Sequence, residues 1–223
     1  MGLLPAVILS GFLGCASQPS PVSTRNDFPL DPREGLAAPF PRAVETGWEA
    51  LAAGDAAAAL EQFAVAPIEA AAPAAAIGRL QANLLLDRNA EAARICDRIL
   101  PSAPRTVPLL ASCGEAEARV GRRPAGLALY REALTISPGR EGLQSRAENL
   151  RVAVTEDLLR DASARAAAGD TDSARRLYRE AVELDPASSR TLAAAAAFEL
   201  ASGSRPKALD LYRQALDRDP SSP

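Results

Sequence analysis

The chain has 223 residues, a length typical of one domain or one repeat array. It contains no histidine, and its 25 basic and 28 acidic residues are interspersed, which gives a net charge of −3. These features exclude histidine-based acid–base catalysis and most zinc sites, and the lack of a basic stripe argues against nucleic acid as a partner. We therefore expect a protein that is not an enzyme and that needs no metal or cofactor.

The composition predicts an all-α fold. Apolar residues make up 48% of the chain but aromatic residues only 4%, and alanine and leucine dominate the apolar set. Alanine is the best helix former and contributes little side-chain volume, so it favours helices that approach each other closely. The β-branched and aromatic runs that are typical of strands are missing.

The N-terminus resembles that of a bacterial lipoprotein. Residues Leu3 to Leu13 form an apolar run that is too short for a bilayer, which needs about 20 residues, but suits a signal peptide. The run ends in Phe12-Leu13-Gly14-Cys15, which resembles a lipobox. The resemblance implies that residues 1–14 are removed and that Cys15 carries fatty acyl chains such as palmitate, an effectively permanent anchor.

Residues 15–41 are predicted to be a lipidated cysteine followed by an extended tether. Six prolines and several serines lie between residues 16 and 41, a composition that disfavours a packed core. Ala16 follows the cysteine, whereas aspartate at that place usually retains Gram-negative lipoproteins in the inner membrane. By this resemblance, the protein would be anchored in the outer membrane and face the periplasm.

The remainder of the chain, residues 42–222, contains an internal repeat with a period of 34 residues. A glycine or aspartate, a small residue, an aromatic, an alanine and a proline recur at fixed spacing. The copies are Gly169, Ala174, Tyr178, Ala181 and Pro186; Gly203, Ala208, Tyr212, Ala215 and Pro220; Gly121, Gly126, Tyr130, Ala133 and Pro138; the weaker Asp87, Ala92, Cys96, Ile99 and Pro104; and Gly54, Ala59, Phe63 and Ala66.

Each place in the repeat has a physical reason. The glycine ends a first helix in the left-handed conformation, and the proline stops a second helix. The small residue is required where the two helices of a hairpin approach most closely. The aromatic one turn later fills the space between helices.

These residues resemble the tetratricopeptide repeat. The resemblance implies a right-handed α-solenoid of about five helical hairpins that binds other proteins and catalyses nothing. Pro138 and Pro186 are 48 residues apart, 14 more than one period, and the segment from Glu141 to Ala168 contains no proline. We predict one long helix there, or a short extra helix joined to the first helix of the fourth hairpin.

In this family the first helices usually line a concave partner-binding groove. Projecting the pattern places nine residues in that groove: Gln81, Leu84, Leu85, Glu115, Arg119, Leu159, Ser163, Ala197 and Leu200. The chaperone-binding members clamp a carboxylate with Lys, Arg and Asn, whereas the Asn places here hold Gln81, Glu115, Ser163 and Ala197. The predicted groove therefore suits an apolar or amphipathic helix, or a proline-rich segment. Alternatively, Leu84, Leu85 and Leu200 face the next hairpin.

Two cysteines are predicted to lie at the same height in neighbouring helices. Cys96 is eight residues before Pro104 and Cys113 is nine after it, so two antiparallel helices joined there bring them together. In an oxidising periplasm they form either a disulfide or a pair of buried thiols.

The predicted function is a membrane-anchored scaffold or assembly factor for other proteins of the bacterial envelope. Lipoproteins of similar architecture serve pilus assembly, secretin assembly and cell-wall enzyme recruitment, and the sequence does not choose among these processes or fix an oligomeric state. The alternative is a binder of a small apolar ligand or lipid, which needs a closed cavity of several hundred Å³.

Overall fold

A computed structural model describes residues 28–65 and 73–219, and within those ranges it contains ten helices and no strand. The helices are α1 Arg42–Ala52, α2 Ala56–Ala64, α3 Pro73–Leu85, α4 Asn89–Ile99, α5 Val107–Arg119, α6 Arg123–Ile136, α7 Glu141–Ala167, α8 Thr171–Leu184, α9 Ser189–Ala201 and α10 Arg205–Arg218. None of these helices combines the length and hydrophobicity that a bilayer-crossing helix needs. Cys15, Ala66 and Pro220 lie outside the described residues.

Consecutive helices pair into hairpins, and the hairpins stack along the chain. The pairs are α1–α2, α3–α4, α5–α6, α7–α8 and α9–α10, and each second helix also packs on the first helix that follows it. The first helices contact one another directly in the pairs α1–α3, α3–α5 and α7–α9. The protein is therefore an all-α solenoid, as the composition and the repeat predict.

Each turn within a hairpin is made by the residue that the repeat predicts. Gly54, Gly121, Gly169 and Gly203 all have φ between +80° and +88°, a conformation that glycine adopts without steric cost. In the remaining hairpin Asp87 takes this role with φ 55°. The second helix can begin directly after this turn. At the start of α8, the Asp170 side chain caps the helix by accepting a hydrogen bond from the Ser173 backbone N–H at 3.1 Å.

The small residues predicted at the closest approach of the helices are buried. Ala59, Ala92 and Ala174 have no exposed surface, and Ala208 is 2% exposed. In the α5–α6 hairpin the place is held by Gly126, where an added Cβ would lie 2.7 Å from the Gly114 carbonyl oxygen. Even a methyl group is therefore too large for this contact.

The aromatic place of the repeat is matched in size by a residue on the first helix of the same hairpin. Phe63 lies on Gly47, where an added Cβ would be 2.7 Å from the ring, and Tyr130 lies on Gly114. In the α3–α4 hairpin the second helix carries the small Cys96 instead. There the equivalent place on the first helix holds Leu80, which lies in the same buried cluster. Where the second helix carries a small residue, the first helix carries a large one, so the core is filled in each of these hairpins.

The long helix predicted from residue 141 is one continuous helix, α7, of 27 residues. Leu143, Ala147 and Leu150 in its first half lie in the buried cluster that also contains Tyr130 of α6. The rest of α7 pairs with α8, which runs back along it as far as Arg151, where Arg151 forms an ion pair at 2.8 Å with Asp185 just beyond the end of α8. α7 is 14 residues longer than α5, which adds about 20 Å to the length of the helix.

The predicted tether does not extend to residue 41. Residues 28–41 lie against the solenoid: Leu30 is 5% exposed and belongs to the buried cluster that contains Val107 and Leu110. Leu36 packs on the hairpin cores nearer the N-terminus. The prediction of an extended tether is wrong for this segment, because a few well-spaced apolar residues can be buried on an existing surface without forming a core of their own.

The structure brings Cys96 and Cys113 together, as the sequence predicts. Their Cα atoms are 5.5 Å apart and their sulfur atoms are at bonding distance, with neither side chain exposed. This Cα separation is in the normal range for a disulfide. The bond would join the second helix of one hairpin to the first helix of the next.

We expect these two cysteines to be disulfide-bonded in protein recovered from an oxidising compartment. Alkylation of the unfolded, unreduced protein followed by peptide mass spectrometry should leave both unmodified. Reduction should lower the free energy of unfolding by about 3 kcal/mol, the chain-entropy value for closing a loop of this length. Alkylation of both residues before reduction would show that they are free thiols.

Candidate functional site

The first-helix face, which we define as the solvent-facing surface of α1, α3, α5, α7 and α9, contains most of the predicted groove. Leu85, Arg119, Ser163, Ala197 and Leu200 are exposed, whereas Glu115 and Leu159 are partly buried. Leu85 is 41% and Leu200 50% exposed, which is high for leucine. These residues are therefore accessible to a partner.

Two of the predicted groove residues are not on this face. Gln81 and Leu84 are 0% and 1% exposed. The cause is the position of α3, which packs against α1, α2, α4 and α5 and has little free surface. Leu84 faces neighbouring hairpins in a buried cluster, the alternative that the sequence left open.

Glu115 is the centre of a polar cluster on the face. Its carboxylate accepts hydrogen bonds from Arg119 Nε at 2.6 Å, from the Tyr130 hydroxyl at 2.6 Å and from Arg146 at 2.8 Å. Burial raises the pKa of Glu115, but the hydrogen bonds from Tyr130 and Arg119 and the charges of Arg146 and Arg119 outweigh it, so that the pKa is lowered overall. Glu115 is thus a fixed anion that holds two arginines in place.

Arg119 also joins this cluster to the preceding hairpin. Its guanidinium donates to the Leu84 carbonyl oxygen at 2.9 Å and to the Asp87 carboxylate at 3.2 Å. Asp87 is the left-handed residue that ends α3. The charged groups on this part of the face are therefore paired with other groups of the same chain. A partner would bind here mainly through apolar contacts and complementary shape.

A cleft of about 240 Å³ lies beside the cluster. It is lined by Glu115, Ala118, Tyr130, Arg146, Asn149, Leu150 and Ala153. Phe28 of the N-terminal segment lies next to it, with the Arg146 guanidinium 5.4 Å from its ring centroid. The segment is held further by an ion pair between Glu34 and Arg140.

The predicted groove residues on α7, Leu159 and Ser163, lie in its second half, and the residues of its first half that line the cleft were not predicted. Arg146, Asn149 and Ala153 follow the spacing of one helix face, so a projection of the predicted long helix would have found them. Phe28 had no comparable signal, because the segment before α1 has no helical period. In the described part of the chain, no group of three or more His, Cys, Asp and Glu side chains is arranged to hold a metal ion.

Comparison with known proteins identifies the repeat type at the C-terminal end. Residues 165–223 match the family model of the tetratricopeptide repeat. No match was found among curated protein sequences.

Several solved structures are similar over most of the chain. YrrB, a tetratricopeptide repeat protein with an unusual peptide-binding site, is 16% identical over 80% of this chain and 86% of its own, with a TM-score of 0.39. TTC0263, a thermophilic tetratricopeptide repeat protein of Thermus thermophilus, is 19% identical over 81% of this chain and 92% of its own, with a TM-score of 0.40. The TPR2AB domain of yeast Sti1, in complex with pHSP90, is 16% identical over 80% of this chain and 77% of its own, with a TM-score of 0.39.

Tetratricopeptide repeats generally mediate protein–protein interactions and are typically not catalytic. The protein is thus an all-α solenoid of helical hairpins, and its residues 165–223 match the tetratricopeptide repeat model.

Proposed function

We propose that this protein is an interaction scaffold of the bacterial cell envelope, anchored by lipid on Cys15, that holds partner polypeptides on its first-helix face. The observation that carries this proposal is the open first-helix face of the solenoid. That face exposes Leu85 and Leu200 and has a cleft between α5 and α7. A stack of hairpins presents such an extended surface because each hairpin contacts only its neighbours.

The chemistry of the face favours an apolar or amphipathic partner segment. Leu85, Ala197 and Leu200 offer apolar surface, while Glu115 and Arg119 neutralise each other. A strongly charged segment would find little unpaired charge of opposite sign on this part of the face. An amphipathic helix or a proline-containing segment can bury its apolar side chains there.

The small-ligand alternative has less support. The cleft on this face measures about 240 Å³, below the range of about 300–1,000 Å³ that is usual for ligand pockets. A lipid or other small apolar molecule would also need an enclosed apolar wall, whereas this cleft is partly lined by Glu115 and Arg146.

The packed N-terminal segment limits how far the body can lie from its anchor. Phe28 and Leu30 contact the solenoid, so 12 residues, 16–27, lie between Cys15 and the body, which makes 13 steps from one Cα atom to the next. Fully extended, that length spans at most about 45 Å. The scaffold would therefore work close to the membrane surface, which we propose to be the periplasmic side of the outer membrane.

The anchor is tested by replacing Cys15 with serine. The wild-type protein should begin at an acylated Cys15 and partition into the detergent phase, because its acyl chains hold it in the bilayer. The Cys15→Ser variant should remain an uncleaved precursor or be released, whereas Cys113→Ser should fractionate like wild type. Unchanged detergent partitioning and processing of Cys15→Ser would overturn the anchor.

The binding face is tested by affinity purification of the full-length protein, with mass spectrometry of the retained polypeptides and lipids. Leu200→Glu and Leu85→Glu should each lose partners, because a charge on the face opposes burial of an apolar segment. Leu216→Glu on α10 is the matched control, since Leu216 and Leu200 are both 50% exposed. An identical set of partners for all variants would contradict the proposed face, and loss of a bound lipid alone would favour the small-ligand alternative.

A further inference from the structure

A second groove lies away from the first-helix face, between α8 and α10. Its volume is about 370 Å³. Tyr178 and Val182 of α8 and Leu211 of α10 form apolar walls, while Ala195 and Glu199 of α9 lie between the two second helices. The size and the mixture of apolar walls with a few polar groups are those of a binding pocket.

The groove contains a buried carboxylate that is only half satisfied. Glu199 is 7% exposed, and its Oε1 accepts a hydrogen bond from Arg175 Nε at 3.1 Å. Its Oε2 is buried and has no hydrogen-bond partner within the described ranges. A buried carboxylate oxygen without a donor is unusual, because burial costs the oxygen its hydration.

Two other glutamates of the same solenoid have hydrogen-bond donors on both carboxylate oxygens. Glu115 has donors on both oxygens, from Arg119 on one and from Tyr130 and Arg146 on the other. Glu117, which is 5% exposed, pairs with Arg122 through both oxygens at 2.9 and 2.6 Å. Glu199 therefore lacks a donor that its counterparts possess.

The donor that Glu199 already has, the guanidinium of Arg175, shows which kind of group binds at this carboxylate. The Arg175 guanidinium lies 5.7 Å from the centroid of the Phe198 ring, and Phe198 stacks on Tyr178 with ring centroids 4.8 Å apart. A carboxylate beside an aromatic face is a favourable environment for a guanidinium. Arg175 donates to Oε1 of Glu199 and also pairs with Asp172 at 3.5 Å, so Oε2 is left for another donor.

The charges at the edge of the groove do not oppose a cation. Arg179 and Lys207 are exposed there, and so are Glu183 and Asp210. The two pairs cancel and are solvated. Arg175 balances the charge of Glu199 on one oxygen, and Glu115, which binds two arginines, shows that a carboxylate of this solenoid can take a second guanidinium on its other oxygen.

We propose that the groove between α8 and α10 binds an arginine side chain of a partner polypeptide, whose guanidinium donates to Glu199 Oε2. The methylene groups of that arginine lie against Tyr178, Val182 and Leu211, and its N–H groups supply the donor that Oε2 lacks. The protein thereby has a second interaction surface, formed by second helices and chemically different from the first-helix face.

The test is an NMR titration of the ¹⁵N-labelled full chain with N-acetyl-arginine-amide, which presents the side chain without free termini. The amide signals of Ala195, Glu199 and Leu211 should shift saturably, with a millimolar dissociation constant. N-acetyl-citrulline-amide has the same shape without the charge and should bind at least about tenfold more weakly. An arginine-containing peptide should compete at the same signals, whereas free arginine binding with no competition by the peptide would assign the groove to a small molecule and overturn the proposal.

The variant Glu199→Gln keeps the acceptor for Arg175 but replaces Oε2 by an amide nitrogen, so it should lose the saturable shifts. Glu180→Gln makes the same charge change on α8 outside this groove and should retain them. Equal binding of the arginine and citrulline derivatives, or no saturable shift in the wild-type protein, would overturn the proposal whether or not Glu199→Gln folds. Unchanged binding by a folded Glu199→Gln would overturn it as well.

Discussion

Each hairpin depends on one close contact, in which a small residue early in the second helix meets the backbone of the first helix. At Gly126 the contact has no room even for a methyl group, and Ala59, Ala92 and Ala174 at the equivalent places have no exposed surface. The close approach sets the distance between helices, and this distance determines how large the residue one turn later can be. That residue is Phe63 or Tyr130 opposite a glycine and Cys96 opposite Leu80. Because Cys96 is small and faces the next hairpin, it comes within reach of Cys113.

The interaction surfaces follow from how these hairpins are stacked. The additional turns of α7 let its first half complete the core beneath Tyr130 while its second half starts the last two hairpins. The first half of α7 also brings Arg146 to Glu115, where Phe28 packs at the edge of the cleft. Further along, α8 and α10 both rest on α9 and leave a groove between them in which Glu199 lacks a second donor. The two surfaces therefore differ in chemistry, since both oxygens of the buried carboxylate on the first have donors, whereas one oxygen of the buried carboxylate on the second has none.

Much of the fold could be predicted from the sequence because its determinants are local and periodic. Glycine at the end of a first helix and alanine five residues later mark the hairpins, and the absence of proline after Glu141 marks the long helix. The proximity of Cys96 and Cys113 could be predicted because they lie at nearly equal distances from the turn between α4 and α5, one on each helix. The groove was predicted less well, because projection onto one helix does not show that α3 is covered on most sides, which buries Gln81 and Leu84. The packing of residues 28–41 and the half-paired state of Glu199 depend on contacts between distant segments, for which no local pattern exists.

The most direct test of this account is the stability of the Gly126→Ala variant. Helix propensity alone predicts that alanine in the interior of α6 raises the free energy of unfolding by about 1 kcal/mol. The close contact predicts the opposite sign, because the new Cβ would meet the Gly114 carbonyl oxygen at 2.7 Å and separate the helices. An overlap this close with a backbone oxygen should cost the upper part of the usual overpacking range, about 2–3 kcal/mol. After the gain of about 1 kcal/mol from helix propensity, urea denaturation should show a net loss of about 1–2 kcal/mol. Gly139→Ala, where an added Cβ meets nothing within 4 Å, should show no loss. A Gly126→Ala protein as stable as wild type, or more stable, would contradict the account.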